Sequence, residues 1–341
     1  MPAIGSETEL DDFLSAPYES DVAALRAMEG DLLILGAGGK MGPSLARRAR
    51  RAADQAGVTK RIMAVSRFSD AHVERQLREA GVETIPADLL DFDQLAALPE
   101  ARNVIFMAGR KFGSSGAAHL TWASNVYLSA RVAERYRTSQ IVVFSSGNVY
   151  PFVPVSSGGA TENTVPDPVG EYAQSVLARE RMCEFFSDRY GTRACLLRLN
   201  YAVELRYGVL RDIGLRVFDG RAIDVRMGYV NVIWQGDANS ICLRSFAICS
   251  SPPTVMNLTG PETLSVRYVA QRFGELFGRA PVFQGRESET ALLNDAARCH
   301  AAFGKPSVSA ETAIEWTADW IRAGGTGWEK PTHFETRDGR F

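Results

Sequence analysis

The chain has 341 residues, of which 45% are hydrophobic and 23% are charged, a composition typical of globular proteins. Its formal net charge of −2 gives no indication of a protein that binds nucleic acid or another polyanion. The five cysteines form no CxxC pair and the four histidines are scattered, which predicts free buried thiols and no metal site. Residues 1–17 lack the apolar segment of a signal peptide, and no apolar run approaches the roughly 20 residues that span a bilayer. We therefore expect a cytoplasmic protein without a membrane partner.

Short apolar segments alternate with helical segments through the first 200 residues. After a stretch with short helical pieces, the chain alternates between predicted strands (31–36, 61–66, 82–88, 103–109, 140–146 and 193–200) and predicted helices (43–56, 70–81, 119–137 and 170–191). Strands that are apolar throughout and separated by helices are typical of a parallel sheet covered on both faces. The pattern predicts an α/β fold with a doubly wound parallel Rossmann sheet.

The alternation loosens after Asn200, where shorter strands and helices follow. From this change we predict four parts: an N-terminal appendage (1–30), a Rossmann domain (31–200), a smaller and partly interleaved substrate-binding region with a terminal helix (201–330), and a tail (331–341).

A glycine-rich segment, Gly36-Ala37-Gly38-Gly39-Lys40-Met41-Gly42, follows the first predicted strand and opens a helix. Glycine lets the main chain turn tightly and approach a phosphate without an intervening Cβ. The start of the helix adds free N–H groups and the positive end of the helix dipole. We therefore predict that this segment binds the pyrophosphate of a dinucleotide through Gly36, Gly38, Gly39, Lys40, Met41 and Gly42.

The end of the second predicted strand indicates which dinucleotide is bound. An acidic residue there would bind a ribose 2′-hydroxyl and favour NAD. This chain has Ser66 and Arg67 instead, and a hydroxyl beside a guanidinium suits a 2′-phosphate. Lys40 in the glycine-rich segment is expected to add a second cation nearby. The alternative is that Arg67 is a solvated surface residue, but we favour NADP over NAD.

Gly36, Gly39 and Gly42 have the GxxGxxG spacing of extended short-chain dehydrogenases, the NAD-dependent epimerase/dehydratase family, which the chain resembles over about residues 30–325. Ala87-Asp88-Leu89 resembles the family's turn at the adenine, although Asp88 could instead cap the next helix. Met107-Ala108-Gly109-Arg110-Lys111 resembles the AGxK segment of the UDP-galactose 4-epimerase group. The resemblance implies cofactor contacts from Asp88, Leu89, Met107, Ala108, Gly109, Lys111, Asn125, Ser145 and Tyr172.

Two further segments resemble the family's catalytic motifs. Phe144-Ser145-Ser146-Gly147-Asn148-Val149-Tyr150 is similar to its SSxxVYG strand end, and Ser146 stands where the family's catalytic Ser or Thr hydrogen-bonds the reacting oxygen. Tyr172-Ala173-Gln174-Ser175-Val176 is similar to its YxxSK segment. The resemblance implies that Tyr172 is the general acid and base. The position of the family's lysine, which lowers the tyrosine pKa, is occupied by Val176.

The replacement of that lysine affects the predicted chemistry directly. An unperturbed tyrosine has a pKa of ~10, and a nearby cation lowers it by favouring the phenolate. Valine supplies no charge. The oxidised nicotinamide ring, Lys111 or an arginine from elsewhere would have to supply it. The alternative is that Tyr172 only binds or packs.

The resemblance also implies a substrate class. Arg198-Leu199-Asn200-Tyr201 is similar to the segment after the sixth strand that lines the family's substrate site. The implied activity is an epimerase, dehydratase or dehydrogenase acting on a carbinol centre of a sugar, sugar nucleotide or sugar acid. Two alternatives remain: a non-catalytic dinucleotide-binding sensor or scaffold, and a lyase or isomerase with Tyr172 as a plain acid. The implied substrate contacts are Arg110, Asn148, Asn200 and Arg206.

Members of the family commonly pair through the two long helices that correspond to 119–137 and 170–191, which implies a homodimer. The same side chains are equally compatible with packing on the sheet. The apolar positions compatible with such a dimer are Leu120, Trp122, Val126, Leu128, Val176, Met182 and Phe185.

Overall fold

Seven parallel strands form the central sheet of the computed structural model, which describes residues 4–111, 116–328 and 330–340. The strand order across the sheet is β7-β6-β5-β4-β1-β2-β3. The predicted doubly wound α/β fold is therefore confirmed, and a seventh strand from the C-terminal region extends the edge beside β6. The strands are β1 (Leu32–Leu35), β2 (Ile62–Ser66), β3 (Glu83–Pro86), β4 (Asn103–Phe106), β5 (Gln140–Ser146), β6 (Arg193–Leu199) and β7 (Thr254–Leu258).

Helices cover both faces of the sheet and build the C-terminal region. A π-helical turn, Ala123–Tyr127, joins α6 directly to α7. The helices are α1 (Glu7–Ser15), α2 (Glu19–Ala27), α3 (Gly42–Ala56), α4 (Ala71–Glu79), α5 (Phe92–Ala97), α6 (Ala118–Trp122), α7 (Leu128–Arg135), α8 (Gly170–Tyr190), α9 (Val209–Phe218), α10 (Gln235–Arg244), α11 (Val266–Phe277), α12 (Ala297–Phe303) and α13 (Ala310–Arg322).

Four pairs of short strands surround the sheet. Two pairs are antiparallel and two are parallel. They are Val153–Pro154 with Thr290–Ala291, Ala202–Val203 with Ile233–Trp234, Ala222–Asp224 with Val282–Gln284, and Tyr229–Val230 with Leu264–Ser265.

The apolar residues of the strands divide between two cores because successive side chains of a strand point to opposite faces. Leu32 and Ile34 of β1 pack with residues of α3, α4 and α10 on one face. Leu33 and Leu35 pack with residues of α5, α7 and α8 on the other. A third core lies within the C-terminal region. No helix in the described ranges is long and apolar enough to cross a membrane.

Residues 4–27 pack on the body of the protein through α1 and α2. Leu10 and Leu14 are fully buried in the C-terminal core. The Arg48 guanidinium of α3 lies 2.6 Å from the Asp21 carboxylate of α2, and both side chains are buried. This segment therefore joins the sheet to the C-terminal region.

The carboxyl ends of β1 and β4 lie side by side at the point where the strand order reverses. From β1 the chain winds outward through β2 and β3, and from β4 it winds in the opposite direction through β5 and β6. Connections that leave a sheet in opposite directions open a crevice between them, and open α/β sheets bind their ligands there.

Candidate functional site

A cleft of about 380 Å³ opens at this point of the sheet. The glycine-rich loop forms one end of the cleft, and the ends of β4, β5 and β6 form its floor. The start of α8 and Thr332 of the C-terminal segment complete its walls. The cleft brings together many of the predicted site residues, namely Gly36, Gly39, Lys40, Met41, Met107, Gly109, Arg110, Lys111, Asn125, Ser145, Ser146, Asn148, Tyr172 and Asn200.

The glycines of the loop serve two purposes. A Cβ on Gly36, whose φ is +94°, would lie 2.5 Å from the Ala108 main-chain nitrogen, and one on Gly42 would lie 2.6 Å from the Ala37 Cα. These two glycines allow close packing of the main chain. The nearest neighbour of a Cβ on Gly39 would be the Gly36 carbonyl oxygen at 3.4 Å. Gly39 therefore keeps the cleft itself free of a side chain.

Helix α3 starts directly behind this loop, and no side chain caps its N-terminus. Its first N–H groups therefore remain available at the end of the cleft. A Cβ on Gly38 would lie 2.5 Å from the Ser66 Oγ, so the end of β2 packs against the loop. Arg67, the next residue, is exposed. Main-chain donors, a hydroxyl and, at the next residue, a cation thus lie at this side of the glycine-rich loop.

Two lysines meet on the other side of the cleft. The Lys40 ammonium lies 3.0 Å from the centroid of the Tyr207 ring. The second cation expected beside Ser66 and Arg67 is therefore on the C-terminal wall instead. Burial, together with the charges of Lys111 and Lys330, lowers the pKa of Lys40 to about 7. Burial lowers the pKa of Lys111 to about 8.

The π-helical turn places Asn125 at the centre of a polar network. The Asn125 side chain accepts a hydrogen bond from the Arg110 main-chain nitrogen at 2.8 Å. It also donates to the Arg110 carbonyl at 3.0 Å and to the Ser175 Oγ at 2.9 Å. The Arg179 guanidinium binds both the main-chain and side-chain oxygens of Asn125. Asn125 therefore links the segment after β4 to α8.

Tyr172 and Ser146 face each other in the cleft. The Ser146 Oγ donates a hydrogen bond to the Asn148 Oδ1 at 2.9 Å, and the Asn148 main-chain nitrogen donates to the same Oγ at 3.2 Å. Burial raises the pKa of Tyr172, while a hydrogen bond with Ser146 and the charge of Arg179 act in the opposite direction. The Ser146 hydroxyl, which Asn148 holds in place, therefore lies beside the ionisable hydroxyl of Tyr172.

Val176 is buried one helical turn after Tyr172. It packs in a small apolar cluster with Val149, Tyr150 and Ala160. Valine thus contributes packing at the position where the resemblance implies a cation.

A buried polar network supports the floor of the cleft. The Ser145 Oγ donates to the Glu180 carboxylate, which is paired with the Arg198 guanidinium at 2.7 Å. The same guanidinium donates to the Tyr150 hydroxyl at 2.7 Å, and that hydroxyl donates to the Asn257 Oδ1 at 2.9 Å. The network ties β5, β6, β7 and α8 together.

Arg206 does not reach the cleft. It is paired with the Glu204 carboxylate at 3.1 Å and the Asp11 carboxylate at 2.8 Å. Its guanidinium also lies over the Trp328 ring. Arg206 was predicted to contact the substrate, but its positive charge is neutralised by these two carboxylates within the protein.

The Asp88 side chain closes a turn by accepting a hydrogen bond from the Leu90 main-chain nitrogen at 3.0 Å. The alternative of a helix cap is wrong for Asp88, because Asp91 caps α5 through the nitrogens of Asp93 and Gln94. Leu89 is buried, and neither Asp88 nor Leu89 lines the cleft.

Sequence reasoning missed several residues of the cleft, among them Arg179, Tyr201, Tyr207 and Thr332. Tyr201 has a φ of +46°, a strained conformation for a non-glycine residue that often occurs at functional sites. Its position directly after Asn200 was the one local signal. Thr332 donates its Oγ1 and main-chain nitrogen to the Asp212 carboxylate, a contact across 120 residues that no sequence pattern indicates.

A family model matches half of the chain. The family model described as "NAD dependent epimerase/dehydratase family" matches residues 32–203. No curated protein sequence matches the chain.

Solved structures of sugar-nucleotide enzymes share the fold. The Thermus thermophilus UDP-glucose 4-epimerase complex with NAD is 20% identical and has a TM-score of 0.69. The Thermotoga maritima UDP-glucose 4-epimerase with UDP-glucose is 17% identical and has a TM-score of 0.70. The Bacillus cereus UDP-glucuronic acid 4-epimerase with UDP-glucuronic acid and NAD is 16% identical and has a TM-score of 0.69. Each match covers 86% of this chain and 99% of the other.

Proposed function

The chain belongs to the NAD-dependent epimerase/dehydratase family, and on this premise we propose that it is an NAD(P)-dependent enzyme acting on a carbinol centre of a sugar nucleotide, sugar or sugar acid. The observation that carries the proposal is the pairing of Ser146 and Tyr172 in the cleft that the glycine-rich loop closes. Sugar nucleotides are the first substrates to test because the three solved structures described above are named for UDP-sugars.

The proposed cofactor is NADP, with NAD as the alternative. Its pyrophosphate would lie against Gly39 and the uncapped start of α3. Ser66 and Arg67 would hold the 2′-phosphate. When bound, the nicotinamide supplies a site that accepts hydride from the carbinol carbon or returns it.

The chain's own residues would handle the proton. Ser146 would hydrogen-bond the substrate oxygen, and Asn148 fixes the Ser146 hydroxyl for this purpose. Tyr172 would accept the proton of the substrate hydroxyl as hydride leaves, and return it in the reverse direction. Asn200 and Arg110 lie in the same cleft and would bind the substrate's polar groups.

The test is to purify the protein, identify any dinucleotide bound to it, and add UDP-glucose, UDP-galactose or UDP-glucuronic acid. We expect nicotinamide absorbance to change with at least one sugar nucleotide, or an epimer to form. Tyr172→Phe should keep dinucleotide binding and lower the rate about 100-fold or more. Failure to bind NADP or NAD at millimolar concentration would overturn the cofactor proposal.

Val176 favours a second candidate, a non-catalytic dinucleotide-binding protein, because it removes the charge expected beside Tyr172. A protein that binds NADP tightly, but shows neither absorbance change nor epimer with any of the three sugar nucleotides, would support this candidate.

We also propose that the protein forms a homodimer through α6, α7 and α8. Leu120, Trp122 and Phe185 of the expected set are exposed, together with Tyr127. Leu128 and Val176 are buried within the subunit and so are not available to a partner. Sedimentation of the wild-type protein and of Phe185→Glu tests the proposal, since the charge should shift a dimer to a monomer.

A further inference from the structure

We propose that Arg179 supplies the positive charge that Val176 cannot, so that a guanidinium on the same helix takes over the electrostatic role of a lysine beside Tyr172. The inference rests on the proposed function of Tyr172 as acid and base. Arg179 would act on the reaction only through its effect on the pKa of Tyr172, so it is a positioning residue and not a catalytic one.

Helical geometry directs Arg179 toward Tyr172. Arg179 lies three residues after Val176 and seven after Tyr172 in α8, which places all three on one face of the helix. Long helical side chains lean toward the helix N-terminus and cover the preceding turn. The guanidinium accordingly lines the cleft together with Tyr172 and Val176.

Neutral oxygens hold the guanidinium in place. It donates to the Phe144 carbonyl at 2.7 Å and to the Ala108 carbonyl at 2.9 Å. It also donates to the main-chain oxygen and Oδ1 of Asn125 at 3.2 and 3.0 Å. None of these described partners is a carboxylate, in contrast to Arg198, which is paired with Glu180. The charge of Arg179 is therefore fixed without being neutralised by an ion pair, and arginine stays protonated in proteins.

The segment after β4 leaves room for this guanidinium. A Cβ on Gly109 would lie 2.5 Å from the Arg179 Nη2 and 2.9 Å from the Asn125 Oδ1. The φ of Gly109 is not in the left-handed region, so this glycine is explained by the space it leaves rather than by its backbone conformation.

Lys111 is the rival source of charge. Its ammonium lies 5.9 Å from the centroid of the Tyr172 ring and 3.4 Å from the Thr332 carbonyl oxygen. Because burial lowers the pKa of Lys111 to about 8, its charge is lost as the pH rises from 8 towards the ~10 at which an unperturbed tyrosine ionises. Burial lowers the pKa of Arg179 as well, but from the much higher value of an arginine, so Arg179 keeps its charge throughout that range.

The test is a direct titration of the Tyr172 hydroxyl. Protein labelled with ¹³C at the tyrosine Cζ gives one resonance per tyrosine, and Tyr172→Phe identifies the one that belongs to Tyr172. We expect Arg179→Met to raise the Tyr172 pKa by about one pH unit or more. Arg179→Lys should restore most of the effect, and Val176→Lys in the Arg179→Met background should lower the pKa again. Arg181→Met, an exposed arginine on the same helix, is the matched control and should leave it unchanged.

Gly109→Ala covers the case in which Arg179→Met does not fold. It keeps the arginine but displaces the guanidinium, and should also raise the Tyr172 pKa. A folded Arg179→Met or Gly109→Ala protein with an unchanged Tyr172 pKa overturns the proposal. A larger rise from Lys111→Met than from Arg179→Met would also overturn it, in favour of Lys111. Dinucleotide binding is measured separately by calorimetry. A protein that binds no dinucleotide contradicts the proposed function, whereas an unchanged Tyr172 pKa contradicts only the role of Arg179.

Discussion

Main-chain atoms form most of the glycine end of the cleft, whereas side chains from four elements form the Tyr172 end. Gly36 and Gly42 pack against the main chain of neighbouring residues, and the uncapped start of α3 offers N–H groups. At the other end, Tyr172, Ser146 and Arg179 depend on hydrogen bonds that join β4, β5, the π-helical turn and α8. The first end is defined by backbone shape and the second by a buried polar network. Substitutions should therefore affect folding and binding differently at the two ends.

The largest effect is expected beneath the Tyr172 end, at the buried pair of Arg198 and Glu180. Arg198→Met leaves the Glu180 carboxylate buried without its cation, which should lower the free energy of unfolding by about 3–5 kcal/mol. Arg181→Met removes an exposed pair with Glu184 and should cost about 0–1 kcal/mol. Urea unfolding measures both. Equal costs would mean that the network beneath Tyr172 does not hold this end of the cleft.

At the glycine end, binding should be separable from folding. Gly39→Ala introduces a Cβ that meets only the Gly36 carbonyl at 3.4 Å, so the thermal midpoint should stay close to that of the wild type. The same Cβ would occupy the space proposed for the pyrophosphate, and we expect NADP to bind about 100-fold more weakly, or about 2.7 kcal/mol. Gly42→Ala is the contrast, since its Cβ would lie within 2.6 Å of the Ala37 Cα and should lower both stability and affinity. Wild-type affinity in Gly39→Ala would contradict the proposed pyrophosphate position.

The two ends also differ in how far the sequence could predict them. The glycines lie within seven consecutive residues after a strand, so local physics was sufficient. Arg179 was missed because its partners Ala108, Asn125 and Phe144 lie 71, 54 and 35 residues away and meet it only once the sheet has formed. Arg206 was predicted at the site although Glu204, two residues away, is one of its partners; the other, Asp11, lies 195 residues away and no local pattern indicates it.

Arg67 should give the glycine end a preference for the dinucleotide that carries a 2′-phosphate. Arg67→Ala should weaken NADP binding about tenfold and leave NAD binding unchanged, since only NADP carries the 2′-phosphate. Arg221→Ala, an exposed arginine outside the cleft, is the control. Calorimetric titration of the wild type and both variants with both dinucleotides gives the six affinities required. If Arg67→Ala lowers the affinities for NADP and NAD equally, Arg67 attracts the negative charge of either dinucleotide and does not select NADP.

The last effect concerns pH and depends on Lys40, which belongs to the glycine-rich loop and whose ammonium lies over the Tyr207 ring on the C-terminal wall of the cleft. The pKa of Lys40 is lowered from 10.5 to about 7, so between these values the unfolded chain binds more protons than the folded one. Stability of the ligand-free protein should therefore rise with pH above about 7, and Lys40→Met should flatten this rise. Thermal midpoints at pH 6 and pH 9 measure the difference.

Dinucleotide affinity should change in the opposite direction over the same range. A pyrophosphate bound at Gly39 would bring negative charge into the cleft that Lys40 also lines and would favour the charged form of Lys40, so binding should take up a fraction of a proton near pH 8. Affinity should then fall as pH rises from 7 to 9, by a factor of a few. Calorimetry in two buffers of different ionisation enthalpy measures the uptake directly, and Lys40→Met should reduce it. An uptake that is absent in the wild type would place the anion away from Lys40, and would leave the main chain as the sole determinant of the glycine end.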